Sequence, residues 1–126
     1  MALPTLSLNS SKYTKVVSLL FNLRTNVHIA HLQTRSYAAH KALNEVYDEI
    51  LDIADSFAES AMATQGILSG YTLGELNTGD IIVFIENKYN ELLSLRKEFT
   101  EGHLVQLIDD ANTVLSSGLY KLKNLK

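Results

Sequence analysis

Cysteine is absent from the 126 residues, which excludes a disulfide framework, thiolate zinc sites and thiol catalysis together. Any metal has to be held by His, Asp and Glu. Proline occurs once, at Pro4, and glycine six times, so little punctuates the chain and long uninterrupted helices are permitted almost everywhere. There is no excess of positive charge: 11 Lys and Arg stand against 14 Asp and Glu, a formal charge of -3. Binding of a polyphosphate by bulk charge is therefore not expected, nucleic acid included. The basic start and apolar stretch of a signal peptide are missing, as is any window near the roughly 20 apolar residues of a membrane span. The expectation is a soluble, cytoplasmic protein without membrane attachment. With 46% hydrophobic and 20% charged residues the chain has enough apolar matter for one core, and residues 1–126 read as a single domain.

Four helical patterns and one long connection account for the chain. From about Ser10 to Gln33, Val16, Leu20, Leu23, Val27 and His31 recur at steps of three and four, with Asn9 or Ser10 as the N-cap. His31 thus lies on an apolar stripe. Between Ser36, a second cap, and Gln65 the stripe is Ala39, Leu43, Val46, Ile50, Ile53, Phe57 and Ala61. A third helix runs from about Asp80 to Lys97 with Ile81, Phe84, Ile85, Tyr89, Leu92 and Leu93 inward. The run from Ile81 to Ile85 suits a buried strand equally well, but no partner strand exists, so helix is preferred. Thr100 can cap a fourth helix with Leu104, Leu107, Ile108, Ala111, Leu115, Leu119 and Leu122 as its stripe. The predicted fold is all-α, a four-helix bundle. The 14 residues Gly66 to Gly79, four of them glycine, can extend to roughly 45 Å at about 3.3 Å each, enough to run back along a helix. That is the single long crossover, between helices two and three, of a ferritin-like fold.

The chemistry falls on helix two. His40, Asn44, Asp48, Asp55 and Glu59 share an arc opposite its core stripe, and Tyr47, Leu51 and Met62 lie in or beside the same arc. A solvated acidic face is the bland interpretation; the apolar company suggests a subunit interface instead. His40 and Asp55 are 15 residues apart, about 22 Å along a straight helix, so one chain cannot bring both to one ion. Two copies of helix two packed antiparallel across a two-fold axis do so, and create two equivalent sites.

The stretch His31-Leu32-Gln33-Thr34-Arg35-Ser36-Tyr37-Ala38-Ala39-His40 through Asn44, Asp48, Asp52, Asp55 and Glu59 resembles the metal-site segment of the Dps proteins, the miniferritins. That family has a His at the end of its first helix and then His, Asp, Asp and Glu, where this chain reads His40-x3-Asn44-x10-Asp55-x3-Glu59. The segment from Ile108-Asp109-Asp110 to Leu119-Tyr120-Lys121-Leu122 is similar to the family's last helix. Short Dps-like proteins occur in tailed bacteriophages, and this compact chain resembles those, which implies the host cytoplasm as its location. The resemblance implies binding of ferrous iron between subunits and its oxidation, a ferroxidase activity, with His31 and His40 as imidazole ligands from one subunit and Asp55 and Glu59 as carboxylates from the other. Asn44 stands where the family has Asp, and Asp48, one turn later, is a substitute. His31 is closer to His40 than in the family, whereas His28 has the family spacing and ranks second. The contrasting expectation is a non-catalytic ferritin-like helical protein, a phage accessory with a structural, interaction or sequestering role, that has lost the metal site.

Little chemistry is expected elsewhere. His103 opens the fourth helix as a surface residue. Lys121, Lys123 and Lys126 can touch phosphate, but lysines in a last turn are equally expected from the helix dipole. The start, Met1 to Lys15, holds just two lysines and no arginine, which gives nucleic-acid binding no support.

Overall fold

The computed structural model describes residues 11–126. It contains α1 Lys12–Gln33, α2 Tyr37–Gln65, α3 Ile81–Arg96 and α4 Gly102–Asn124, and no strand occurs among the described residues. Three of the helices start where a side chain captures an orphan N–H of the first turn. Ser11 accepts from Thr14, Ser36 from Ala39 and Asp80 from Ile82. The caps expected at Asn9 or Ser10 lie outside the described residues, and Ser11 takes that role. The fourth helix departs from expectation. Its cap is Glu101 rather than Thr100, because the Glu101 carboxylate is held by the Tyr13 hydroxyl at 2.5 Å while its carbonyl accepts from Leu104 and Val105.

α1 packs on α2 and α3, and α4 packs on the same two helices, while the diagonal pairs do not meet. The apolar stripes converge between them. Val16, Leu20, Leu23 and Val27 of α1, Leu43, Val46, Ile50, Phe57 and Ala61 of α2, and Leu104, Ile108, Ala111 and Leu115 of α4 are all buried. Phe57 meets Phe99 edge-on at 5.7 Å, and Phe99 meets Tyr13 likewise at 5.3 Å. Gly118 lets α4 close on α2, since a Cβ there would lie 2.5 Å from Val46 Cγ2. α3 is the shallowest helix. Only Ile85 and Leu92 are fully buried, and Leu93, expected inward, is exposed, because α3 rests mainly on α4 and leaves an open side toward α1.

The connection 66–80 returns along α1 and carries the chain the length of the bundle. It is tied down by polar side chains at four-residue steps on α1. The Thr72 N–H donates to Ser18 Oγ at 3.1 Å. Asn22 Nδ2 donates to the carbonyls of Leu73 and Glu75 at 3.0 and 2.9 Å. Asn26 Nδ2 donates to Glu75 O at 3.2 Å, and Asn26 Oδ1 accepts the Asn77 N–H at 2.7 Å. Gly74 adopts φ 72° and a Cβ there would sit 2.6 Å from Asn22 Nδ2. Glycine is required at that position both by the left-handed backbone and by the close approach. α1 and α4 therefore run one way and α2 and α3 the other.

Candidate functional site at the α1–α2 turn

A three-residue link, Thr34 to Ser36, joins α1 to α2 and brings the histidines together. Arg24, His28 and His31 share one face of α1, while His40, Asn44, Tyr47 and Asp48 share the facing side of α2. His31 Nδ1 lies 2.6 Å from the His40 carbonyl and His40 Nδ1 lies 2.8 Å from the His31 carbonyl. A carbonyl can only accept, so both Nδ1 atoms carry hydrogen, and in a neutral ring the lone pair is then on Nε2. The two rings stack at 3.7 Å with 19° between planes. Because the His31 carbonyl belongs to the last turn of α1, the His40 ring also caps that helix.

Tyr47 is the hub of the cluster. His28 stacks on its ring at 4.1 Å, His31 meets it edge-on at 5.3 Å, and the Arg24 guanidinium lies 5.8 Å from its centre. The Tyr47 hydroxyl donates to Asn44 Oδ1 at 2.7 Å, and Asn44 Nδ2 donates to Asp48 Oδ2 at 3.1 Å. Asn44 is thus committed as a bridge. Arg24 Nε is buried with no hydrogen-bond partner among the described residues. His31 is buried, His28 and His40 are half-buried.

Asp55 and Glu59 stand farther along α2, exposed and without an ion pair among the described residues. The fold thus gathers His28, His31, His40, Asn44 and Asp48, and leaves Asp55 and Glu59 apart. Among the described residues no group of three or more His, Cys, Asp or Glu forms that can hold a metal. Tyr47 was expected at a subunit interface, yet α1 covers it within the chain; Leu51 and Met62 are half-exposed.

The sequence pattern did not single out Arg24 as a member of this cluster, although its spacing to His28 and His31 is helical. It also passed over the Ser18, Asn22, Asn26 ladder. Elsewhere, Lys121 pairs with Glu45, and Lys123 with Glu86 at 3.1 Å, so two of the three tail lysines are engaged on the protein's own helices. His103 is exposed. No helix among the described residues is long and apolar enough to cross a membrane.

The chain belongs to a family of unknown function, DUF5856, whose family model matches residues 31–122. The match begins at His31 and so takes in the His31, His40, Asp55 and Glu59 positions together. The chain is also similar to the "uncharacterized 14.6 kDa protein in mobD-ri intergenic region" of Enterobacteria phage T4, 36% identical over 117 residues, which cover 89% of this chain and 88% of that protein. No solved structure matches the chain. Neither match is to a Dps protein.

Proposed function

We propose that this is a phage-type helical protein of the host cytoplasm whose α1–α2 face binds a second copy, and that ferrous iron is its cargo at the shared face, held by His31 and His40 of one chain and by Asp55 and Glu59 of the other. The observation that carries this reading is the tautomer of the two imidazoles. Metal-ligating histidines almost always donate one ring N–H to a carbonyl or carboxylate, which fixes the ring and leaves the other nitrogen free to ligate. His31 and His40 both do so. Mixed imidazole and carboxylate ligation suits iron.

Charge supports the same docking. One end of the α1–α2 face carries Arg24, Arg35 and Lys41, with Asp48 beside them, and the other carries Asp52, Asp55 and Glu59. An antiparallel two-fold places each end on its opposite. The path of the chain, two antiparallel hairpins joined by one long crossover, is also that of ferritin-like bundles, and oxidation of the bound iron is the activity the Dps resemblance implies.

A second reading rests on the same hydrogen bonds. The reciprocal Nδ1 contacts staple α1 to α2, which explains both histidines with no metal, and leaves a structural or interaction role. Mixing separates the two. Chains carrying His40→Ala and chains carrying Glu59→Ala should each lose ferrous-iron uptake. Together they should regain part of it, because heterodimers combine both lesions at one site and keep the other whole. Unchanged iron uptake in both single variants leaves the stapling role alone.

A further inference from the structure

The opposite side of α1 holds a groove that none of this uses. It has a volume of about 980 Å³ and lies between α1, the crossover and α3, at the upper end of the size range of small-ligand sites. Leu19, Phe84 and Leu95 line it as the apolar component, and Asn90 and Ser94 of α3 line its other wall. The side chains of Asn90 and Ser94 make no hydrogen bond among the described residues.

We infer that this groove docks an extended, uncharged polypeptide segment of a partner protein, laid alongside the crossover. Three observations select that occupant. The first is the crossover backbone. Leu73 and Glu75 spend their carbonyls on Asn22, and Asn77 spends its N–H on Asn26. The main-chain N–H and C=O of Gly74 and Leu76, which line the groove, find no partner among the described residues. Unpaired main-chain groups on a surface segment are what an added chain pairs with.

The second is charge. Lys15 and Lys88 in the lining are offset by Glu75 and Glu91, and Lys88 pairs with Glu91 at 3.4 Å. A phosphate-bearing or strongly acidic ligand has no net field to follow, whereas a neutral backbone matches the amides and hydroxyls.

The third is apolar exposure. Leu76, in the lining, is 66% exposed, an uncovered apolar side chain on a segment so firmly anchored. A segment with alternating apolar side chains covers it from one side and reaches Phe84 from the other. A concave groove also suits a single extended segment better than the convex flank of a second copy. From Ser18 to Asn26 the anchored stretch runs about 12 Å along α1, length for about four extended residues.

The test is a titration of the ¹⁵N-labelled full chain with a blocked hexapeptide of alternating Leu and Thr, with a Leu and Glu hexapeptide as the charged control. The neutral peptide should shift the amides of Leu19, Gly74, Leu76, Phe84 and Ser94, and the charged one should bind at least tenfold more weakly. Ser94→Arg, an exposed substitution that fills the groove, should weaken the neutral peptide at least tenfold with unchanged helical circular dichroism; Asn90→Arg is the second variant should the first fail to fold. Absent shifts, shifts on another face, or equal binding of both peptides overturn the proposal. So does sedimentation that shows a dimer, without peptide, which Ser94→Arg dissociates, since the groove is then a self-interface.

Discussion

The two sides of α1 are joined to their neighbours by different chemistry. Toward α2 the seam is closed directly, ring on ring, from Arg24 and Tyr47 to the His31 and His40 stack. Toward α3 the direct contact is slighter and the crossover fills part of the gap, held by amide and hydroxyl groups of Ser18, Asn22 and Asn26. Direct packing of rings excludes water and leaves little room for adjustment. A segment hung on side-chain amides keeps its own backbone partly unpaired and leaves a groove beside it. The first seam can present fixed imidazoles; the second can accept an added chain.

The sharpest way to break this contrast is at Asn22, one amide that holds two carbonyls. Asn22→Ala should destabilise the protein by about 2 kcal/mol, since the Leu73 carbonyl loses its donor and that of Glu75 keeps only Asn26, in a part-buried site. Gly74→Ala should cost about 1 to 2 kcal/mol for the left-handed backbone alone, and more in wild type because the new Cβ meets the Asn22 amide. In the Asn22→Ala background that contact is gone. Urea unfolding of the four-member cycle should therefore show Gly74→Ala costing less there than in wild type; strict additivity removes Asn22 as the anchor. Hydrogen exchange should speed at the amides of Thr72 and Asn77 and leave Thr34 protected.

His40→Ala is the mirror experiment and a smaller one, about 1 to 2 kcal/mol, from one lost ring stack and one lost bond to a last-turn carbonyl of α1. Exchange at Thr34 and at the start of α2 should now speed, with Thr72 and Asn77 unchanged. If each variant loosens both sides, α1 transmits strain across the bundle and the two seams are not independent.

How much of this could be read from the sequence follows the same division. α2 was legible to its ends, because Ser36 caps it, Gly66 stops it and its apolar steps are regular. α1 and its stripe were legible too, and the two histidines flank a turn too short to keep them apart. The all-helical fold with a long crossover follows from the shortage of glycine and proline outside 66–79. The groove was not legible. Ser18, Asn22 and Asn26 are buried polar residues, and a count of apolar positions treats such residues as solvent-facing. Their partners lie about 50 residues away in a segment without periodicity, and only the folded path brings them together. Leu93 was misplaced for a related reason, since a stripe assumes a neighbour on every side and α3 rests mainly on α4.

The smallest expected effect lies where the end of α3 and the start of α4 close over the first turn of α1, beyond the end of either seam. There the Tyr13 hydroxyl donates to Glu101 at 2.5 Å. That hydrogen bond, foremost, holds the Glu101 carboxyl below its ordinary value of 4.5, and the same bond, before burial, raises the Tyr13 hydroxyl above its ordinary 10.0. The carboxylate is the form favoured by folding, so its contribution is fully present above pH 4.5 and is lost as the pH falls through the lower folded-state value. For the tyrosine the neutral form is favoured by folding. The unfolded chain ionises first as the pH passes 10.0, and stability falls there as well. Tyr13→Phe keeps the ring edge against Phe99 and removes the hydroxyl. Its stability curve should be flatter than wild type on both limbs, below pH 4.5 and above pH 10.0, with only a slight change between them because the hydrogen bond is only part-buried. The Asp109 carboxyl, held low mainly by its two hydrogen bonds from Arg96, titrates in the same acid window and remains in the variant. The acid limb should therefore flatten without vanishing, and Tyr13→Phe combined with Asp109→Asn should flatten it further. An acid limb that keeps its full slope in Tyr13→Phe means that Glu101 owes its low value to something other than the tyrosine.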